Sequence, residues 1–269
     1  MAQRWCTGCR YRGNVLLGEY TSALEAASSA EELYLELGDR TLAAHCKASV
    51  GDVYRVLGDY NRAKKLLEEA LKTHNELGGG IHEANTRYQL ALVMRIDGDH
   101  AGAIEHLTAA RLTFNSVGDT LFAANCTCTL GLLNTALGNA AAGIAELEAS
   151  RAIFISLGHQ TRIAEATRFL GAAAQYAQEN SGLAEKYLEE AQQIYRAVGD
   201  LHGIAYCAEQ FGHVRNQQEC EEEALVQFKL ARRIFEKLQL QDGIQRCQEQ
   251  IKLLESTQSW TVEQCSDDF

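Results

Sequence analysis

Paired cysteines are the first feature of this sequence that suggests chemistry. The chain has nine cysteines, and Cys6-x-x-Cys9 and Cys126-x-Cys128 have spacings that also occur among zinc ligands. Neither pair has a second Cys or His pair nearby, so a set of four ligands is not supplied. We therefore predict that the chain holds no metal and no cofactor.

The histidines do not form a catalytic group of residues, and the three consecutive glycines do not form a phosphate-binding loop. Of the eight histidines, His100 and His106 are six residues apart, which puts them on different faces of one helix. Residues 78–80 are three glycines, but the Lys-Ser/Thr of a phosphate-binding loop does not follow them. We predict a protein without enzymatic activity, whose histidines are solvated or hydrogen-bonded.

Most of the cysteines belong to a repeating pattern, and this pattern predicts a packing role. A position that accepts cysteine, threonine or alanine needs a small side chain, and free cysteine is among the most buried residue types. We expect free thiols at buried contacts. The equivalent positions are Cys6, Cys46, Thr86, Cys126, Ala166, Cys207 and Cys247.

The unit behind this pattern is a pair of helices within residues 37–77. Asp39 is a good N-cap for a first helix, and Gly58 suits the left-handed position that ends it. Asp59 then caps a second helix, whose apolar residues recur with a period near 3.6. Gly51 lies inside the first helix, where glycine is unfavourable, and this predicts close packing of the second helix against it.

Near-copies of this hairpin fill the chain in one register. Two rows of equivalent residues step by 40, 40, 40, 41 and 40 positions, and such regularity indicates tandem repeats. The predicted repeats span about 2–37, 39–77, 79–117, 119–157, 160–198 and 200–238, followed by a capping helix at 240–255 and a flexible tail at 256–269. The small-residue row is Ala23, Ala63, Ala103, Gly143, Ala184 and Ala224; the large-residue row is Tyr34, His74, Phe114, Phe154, Tyr195 and Phe235.

Composition and charge narrow the class of protein. The chain has 269 residues, no proline and a net charge of −11, with a pI near 5.2. The absence of proline favours continuous helix, and the acidic charge argues against sequence-independent binding to nucleic acid or anionic membranes. The sequence has no apolar run long enough for a membrane span and no apolar signal core at its N-terminus. We expect a cytoplasmic protein.

These rows resemble the tetratricopeptide repeat. The helix A row of that family is small, and here it is Gly51, Ala91, Gly131, Gly171 and Gly212, which we call the glycine row. The family's unit is about 34 residues long, so the helices of this chain are about one turn longer. The resemblance implies an all-α fold, a right-handed α-solenoid of tandem helix-turn-helix hairpins with a C-terminal capping helix.

Two groups within the family have a similar repeated motif at a 40-residue period. The repeated Leu-Gly-Asp resembles the Leu-Gly-Asn-type cell-polarity adaptors, and also the arrays attached to NACHT or NB-ARC signalling ATPases. The polarity adaptors rely on asparagines beside the helix A glycine, where this chain has Val50 and Asp52, so their ligand is not carried over. The second resemblance implies an alternative function, a sensor or oligomerisation arm detached from a larger ATPase.

The family resemblance also implies which residues line the concave groove. They lie six before, three before, one after and four after the glycine row, and there the array is expected to bind a peptide or helical segment of a partner protein as a non-enzymatic scaffold. The candidate contact residues are His45, Asp52, Arg55, Asn85, Tyr88, Arg95, Asn125, Arg168, Gln175, Tyr206, His213 and Asn216.

The candidate contact residues suggest the chemistry of the ligand. Asn85 and Asn125 suit a peptide backbone, and Arg55 and Arg95 suit a carboxylate or phosphate, so an acidic peptide is one expected partner. The alternative is that the arginines pair with Asp52 and other local acids. Because the first unit is several residues short, its apolar end is also a candidate surface for self-association. The short start is expected either from a cut inside a longer array or from an unusually short natural beginning.

Overall fold

The structure is a computed structural model that describes residues 20–176 and 181–266. Within these ranges the backbone forms twelve α-helices and no strand, which confirms the all-α prediction. The predicted first helix of the first repeat, with Cys6 and Cys9, lies outside the described residues, as does the end of the predicted tail at 267–269.

The chain divides into two compact units, Met1–Gly158 and His159–Phe269. The described helices of the first unit are α1 (Tyr20–Glu36), α2 (Arg40–Leu57), α3 (Tyr60–Glu76), α4 (Ile81–Ile96), α5 (His100–Ser116), α6 (Thr120–Ala136) and α7 (Ala140–Ser156). Those of the second unit are α8 (Gln160–Tyr176), α9 (Ser181–Val198), α10 (Leu201–Gln217), α11 (Glu221–Lys237) and α12 (Gln241–Ser266).

Helix α12 is longer than the sequence pattern predicted. It was expected to end near Glu255, but it continues to Ser266. The segment after Glu255 is Ser-Thr-Gln-Ser-Trp-Thr-Val-Glu-Gln-Cys-Ser, which has no glycine or proline to stop a helix. Loss of the apolar period therefore did not mark the end of the helix.

Helix starts follow the predicted capping chemistry. The Asp39 carboxylate accepts a hydrogen bond from the Leu42 amide at 3.1 Å, and Asp59 does the same for Arg62. Such caps satisfy donors that the first turn leaves free. The same arrangement recurs at Asp99, Asp119 and Asp200.

Left-handed backbone follows many of the described helices, and at two of these positions the residue is not glycine. Gly58 has φ 85°, as predicted, whereas Glu219 and Gln239 hold φ 61° and 58° with full side chains. A β-carbon in this conformation crowds the following carbonyl. The last two turns of the second unit therefore carry backbone strain that the glycine turns avoid.

Replacing Glu219 or Gln239 with glycine should stabilise the protein by about 0.5–1.5 kcal/mol each, because the strain is relieved. Urea denaturation followed by circular dichroism measures the change. The matched control is Gly138→Ala, at φ 87° with no atom within 4 Å of the new β-carbon, which should lose a similar amount. Equal stability of all three variants would contradict this expectation.

The core of each hairpin forms where a small residue of one helix meets a large residue of the other. A β-carbon on Gly51 would lie 3.0 Å from Leu67 Cγ, and one on Gly212 would lie 2.7 Å from the Phe228 ring. The facing alanines, such as Ala63, are fully buried. The predicted role of the glycine row as a close helix contact is confirmed in these hairpins.

The cysteine row is buried as predicted. Cys126, Cys207 and Cys247 have no exposed surface and Cys46 is 9% exposed, and all four are free thiols. Thr86 is equally buried at the same position. The row is thus a packing position in the described repeats.

Successive hairpins meet at a second recurring contact, which we call the joint pair. It consists of the large residue late in the second helix of a hairpin and the residue nine before the glycine row in the next helix. The rings of Phe114 and Phe122 stack in this way, with centroids 5.2 Å apart. In the second unit the partners are glycines: a β-carbon on Gly203 would lie 2.3 Å from the Tyr195 ring.

Candidate functional site

All twelve candidate contact residues lie on the first helix of a hairpin. Eleven are half-buried, and Asn125 is buried. In the first unit they are His45, Asp52 and Arg55 on α2, Asn85, Tyr88 and Arg95 on α4, and Asn125 on α6; in the second unit they are Arg168 and Gln175 on α8, and Tyr206, His213 and Asn216 on α10.

Arg55 forms a local ion pair, which the sequence analysis considered as the alternative to ligand binding. Both Nε and Nη2 lie 2.8 Å from Asp52 Oδ1, and the two side chains are about one-fifth exposed. A carboxylate three residues away on the same helix already neutralises this guanidinium. The geometry therefore favours the local pair over an arginine that waits for a ligand.

Two other candidates in the first unit take part in side-chain packing. The His45 ring lies 5.0 Å from the ring of His82 on α4, measured between centroids. Tyr88 packs against the buried cluster that contains Ala91 and Leu107. Both residues therefore take part in packing between helices, and their predicted contact with a ligand stays a prediction.

Asn125 is an unusual member of the set. Its residue surface is 3% exposed, and its side-chain oxygen Oδ1 has no hydrogen-bond partner among the described residues. Its backbone carbonyl, by contrast, accepts a hydrogen bond from Thr129 Oγ1 at 3.1 Å. A buried acceptor without a partner costs about 1–3 kcal/mol, so this side chain is kept at the expense of stability.

In the second unit, Arg168 and Tyr206 come together. The guanidinium carbon of Arg168 lies 5.3 Å from the Tyr206 ring centroid and 4.5 Å from that of Phe169, which are cation–π distances. The Arg168 guanidinium also interacts with the Tyr195 side chain. Burial raises the pKa of Tyr195, and the Arg168 charge opposes that rise only in part. Arg168 is thus fixed by aromatic groups on two other helices.

The sequence analysis missed an ion pair beside these residues in which the carboxylate is buried and the arginine is partly exposed. Glu209 is 7% exposed, and its two oxygens accept hydrogen bonds from Arg246 Nε at 2.7 Å and Nη2 at 3.0 Å. Arg246 also binds Asp242 on its own helix, α12. Burial acts to lower the pKa of Arg246, but the hydrogen bonds that Arg246 donates to Glu209, together with the nearby negative charges, outweigh it and raise that pKa.

The repeat spacing of the sequence could have identified Arg246. It lies 40 residues after Tyr206, in the row six before the glycine row, so α12 begins like the first helix of another hairpin. Arg246 also lies over the rings of Tyr206 and Phe235, at 5.7 and 6.0 Å. The polar residues of α12 therefore include one that binds the preceding repeat.

His213 also packs within its unit. Its ring meets the Phe228 ring edge-on at 5.0 Å between centroids. Burial lowers the pKa of His213, although the nearby Glu209 carboxylate acts in the opposite direction. A neutral imidazole is therefore favoured at neutral pH.

The described residues offer little for covalent or metal chemistry. They include no group of three His, Cys, Asp or Glu side chains arranged to hold a metal ion. Burial raises the pKa of the Cys126 thiol to about 12 and that of Cys207 to about 11, which keeps both far from the reactive thiolate form. In the part of the chain with described structure, no helix is long and apolar enough to cross a membrane.

Comparison with known proteins matches part of the chain to a family of repeats. The family model described as "Tetratricopeptide repeat" matches residues 44–116, which include α3 and α4. No curated protein sequence matches the chain. The resemblances to polarity adaptors and to NACHT-type arrays stay predictions.

Several solved structures share the fold at low identity. NprR in complex with its cognate peptide NprX has a TM-score of 0.72 at 16% identity, over 96% of this chain and 72% of that one. The Rap conjugation gene regulator of plasmid pLS20, in complex with the Phr* peptide, has a TM-score of 0.71 at 16% identity, over 81% of this chain and 60% of that one. Apo RapI has a TM-score of 0.63 at 14% identity, over 97% and 99%. These likenesses show a fold of tandem helical hairpins.

Proposed function

We propose that this chain, a tetratricopeptide repeat protein, is a non-enzymatic scaffold that binds a peptide or helical segment of a partner along the first helices of its hairpins. Its work is to hold a partner rather than to transform a substrate. Buried free thiols such as Cys126 fit a reducing, cytoplasmic compartment.

The observation that carries this proposal is the buried amide of Asn125. A buried acceptor that has no hydrogen-bond partner among the described residues matches the backbone N–H of an extended peptide. Asn125 shares its row with Asn85 in the same unit, so this row offers a further polar contact.

The fold neighbours support a peptide as the kind of ligand. NprR and the Rap conjugation regulator were each solved with a peptide bound, and we transfer that class of ligand to this chain as a proposal. The pairing of Arg55 with Asp52 weakens the case for an acidic ligand at that unit. Acidic character is therefore a property to measure rather than to assume.

Asn125→Ala should weaken peptide binding about 5- to 100-fold while leaving the melting temperature equal or higher, since it removes a ligand contact and an unsatisfied buried group together. Peptides are first selected from a displayed library of random peptides against the full chain. Their affinities for both proteins are then measured by isothermal titration calorimetry.

The matched control is Asn115→Ala, because Asn115 is exposed on α5, the second helix of its hairpin. This variant should bind the selected peptides as the unchanged protein does. Failure to select any peptide, or equal affinity of the Asn125 variant, would refute the proposed site. Enrichment of Asp and Glu in the selected peptides would establish an acidic ligand, and their absence would remove that part of the proposal.

A further inference from the structure

Two stacked histidines form the joint pair between α3 and α4. The His74 ring is 1% exposed, and its centroid lies 5.9 Å from that of His82, with the planes 17° apart. The next joint along the chain has Phe114 and Phe122 at the same two positions. The chain therefore uses titratable rings at one joint and phenyl rings at the equivalent joint beside it.

The imidazoles of this pair lack the hydrogen bonds that buried histidines were expected to have. Neither ring nitrogen of His74 has a hydrogen-bond partner among the described residues, and His82 Nδ1 is in the same state. The expectation that every histidine is solvated or hydrogen-bonded is therefore wrong for His74. A neutral imidazole tolerates such a site, whereas a buried imidazolium without a partner is strongly disfavoured.

From this geometry we propose that the joint between α3 and α4 is acid-sensitive: it packs as a stack of neutral imidazoles and loosens when they gain protons. The two rings are nearly parallel with centroids 5.9 Å apart, so a charge on one opposes a charge on the other. The phenyl joint between α5 and α6 has no group that titrates and keeps its packing at the same pH.

The carboxylates near the pair do not remove this effect. Asp39, the cap of α2, favours the charged form of His82, and Glu83 on α4 favours that of His74. Glu83 is already bound to Arg87 at 2.6 Å. Burial outweighs both carboxylates and lowers the pKa of each histidine, and for His74 the charge of His82 lowers it further.

Several titratable groups on the flanking helices α1, α2 and α5 are neutral or already paired. On α2, burial raises the pKa of the Cys46 thiol to about 12, so this neighbour is neutral. Glu31 of α1 is paired with Lys47, and His106 of α5 lies 3.4 Å from the Arg87 guanidinium. His45 adds a third ring, 5.0 Å from His82.

The direction of the pH effect follows from the lowered pKa values. Between the ordinary histidine pKa and the lower folded-state value, the unfolded chain binds protons that the folded joint does not bind. Stability from the joint is therefore complete above about pH 6.5 and is lost as the pH falls towards the folded-state pKa.

Hydrogen–deuterium exchange on the full chain tests the proposal. On going from about pH 7.5 to about pH 5.5, protection of segment 60–96, corrected for intrinsic exchange, should fall about tenfold or more. Protection of segment 113–136, which has the phenyl joint and contains no histidine, should stay within about twofold over the same range.

The decisive variant is His74→Phe with His82→Phe, which copies the neighbouring joint and should abolish the loss of protection in 60–96. If the double variant does not fold, His82→Phe alone should reduce the loss, because one titrating ring remains. An equal loss in the variant, an equal loss in both segments, or no loss in the unchanged protein would overturn the proposal. The test needs no ligand, so it stands or falls apart from the proposed function.

Discussion

Replacing Phe235 with alanine should lower the free energy of unfolding of the second unit by about 3–5 kcal/mol. The Phe235 ring is fully buried, and it lies where a β-carbon on Gly243 would come within 2.6 Å of it. It also meets the Tyr206 ring edge-on at 5.2 Å and lies 6.0 Å from the Arg246 guanidinium carbon. Its removal leaves a cavity between α11 and α12. It also removes a ring that packs against Arg246, the partner of Glu209 in the ion pair.

Urea denaturation followed by circular dichroism measures this loss, and hydrogen exchange of α12 locates it. The matched control is Leu253→Ala, on the same capping helix but 57% exposed, which should change the free energy of unfolding by less than about 0.5 kcal/mol. A loss below about 1 kcal/mol for the Phe235 variant would mean that α12 is held by other contacts.

Gly143→Ala should destabilise the first unit by about 1–3 kcal/mol, against the general preference of helices for alanine. A β-carbon at this position would lie 2.2 Å from Thr135 Oγ1, 2.6 Å from the Gly131 carbonyl oxygen and 2.8 Å from the Thr135 nitrogen. Two of these three atoms belong to the backbone of α6, so the helices must separate. The five equivalent positions have alanine. The glycine at 143 therefore lets α6 and α7 approach more closely than a hairpin with alanine at this position could.

The control for this variant is Gly51→Ala on α2, where the nearest atom to the new β-carbon is Leu67 Cγ at 3.0 Å. A leucine side chain adjusts more readily than a backbone, and alanine gains up to about 1 kcal/mol of helix propensity, so the net change should be small. Thermal melting of both variants beside the unchanged protein gives the comparison. A Gly143 variant that melts higher than the unchanged protein would contradict the prediction.

The repeat pattern predicted most of the architecture because small residues and glycines recur where the chain needs them. Asp39, Gly58 and Gly51 reveal a cap, a turn and a close contact through their residue types alone, and the structure places each in that role. Their spacing then extends to the other hairpins without further information.

The contacts between hairpins were harder to predict, because they depend on which side chain meets which across a joint. Arg246 shares a row with Tyr206, yet its bond to Glu209 requires the neighbouring helix to place a carboxylate beside it. The stack of His74 on His82 has the same origin. The end of a helix was also not predicted where no glycine or proline marks it, as at Ser266.

The joint pairs bear on how such an array changes by duplication. Tyr195 fits over Gly203, whereas Phe114 stacks on Phe122, so the ring and its partner differ from one joint to the next. If a duplicated segment begins and ends with a whole hairpin, each ring of a joint pair is separated from its partner residue. A phenyl side chain at position 203, for example, would collide with Tyr195. A duplicated segment that begins at the second helix of one hairpin and ends with the first helix of the next keeps both residues of a joint pair together. The exchangeable module of this chain is therefore offset by one helix from its repeat.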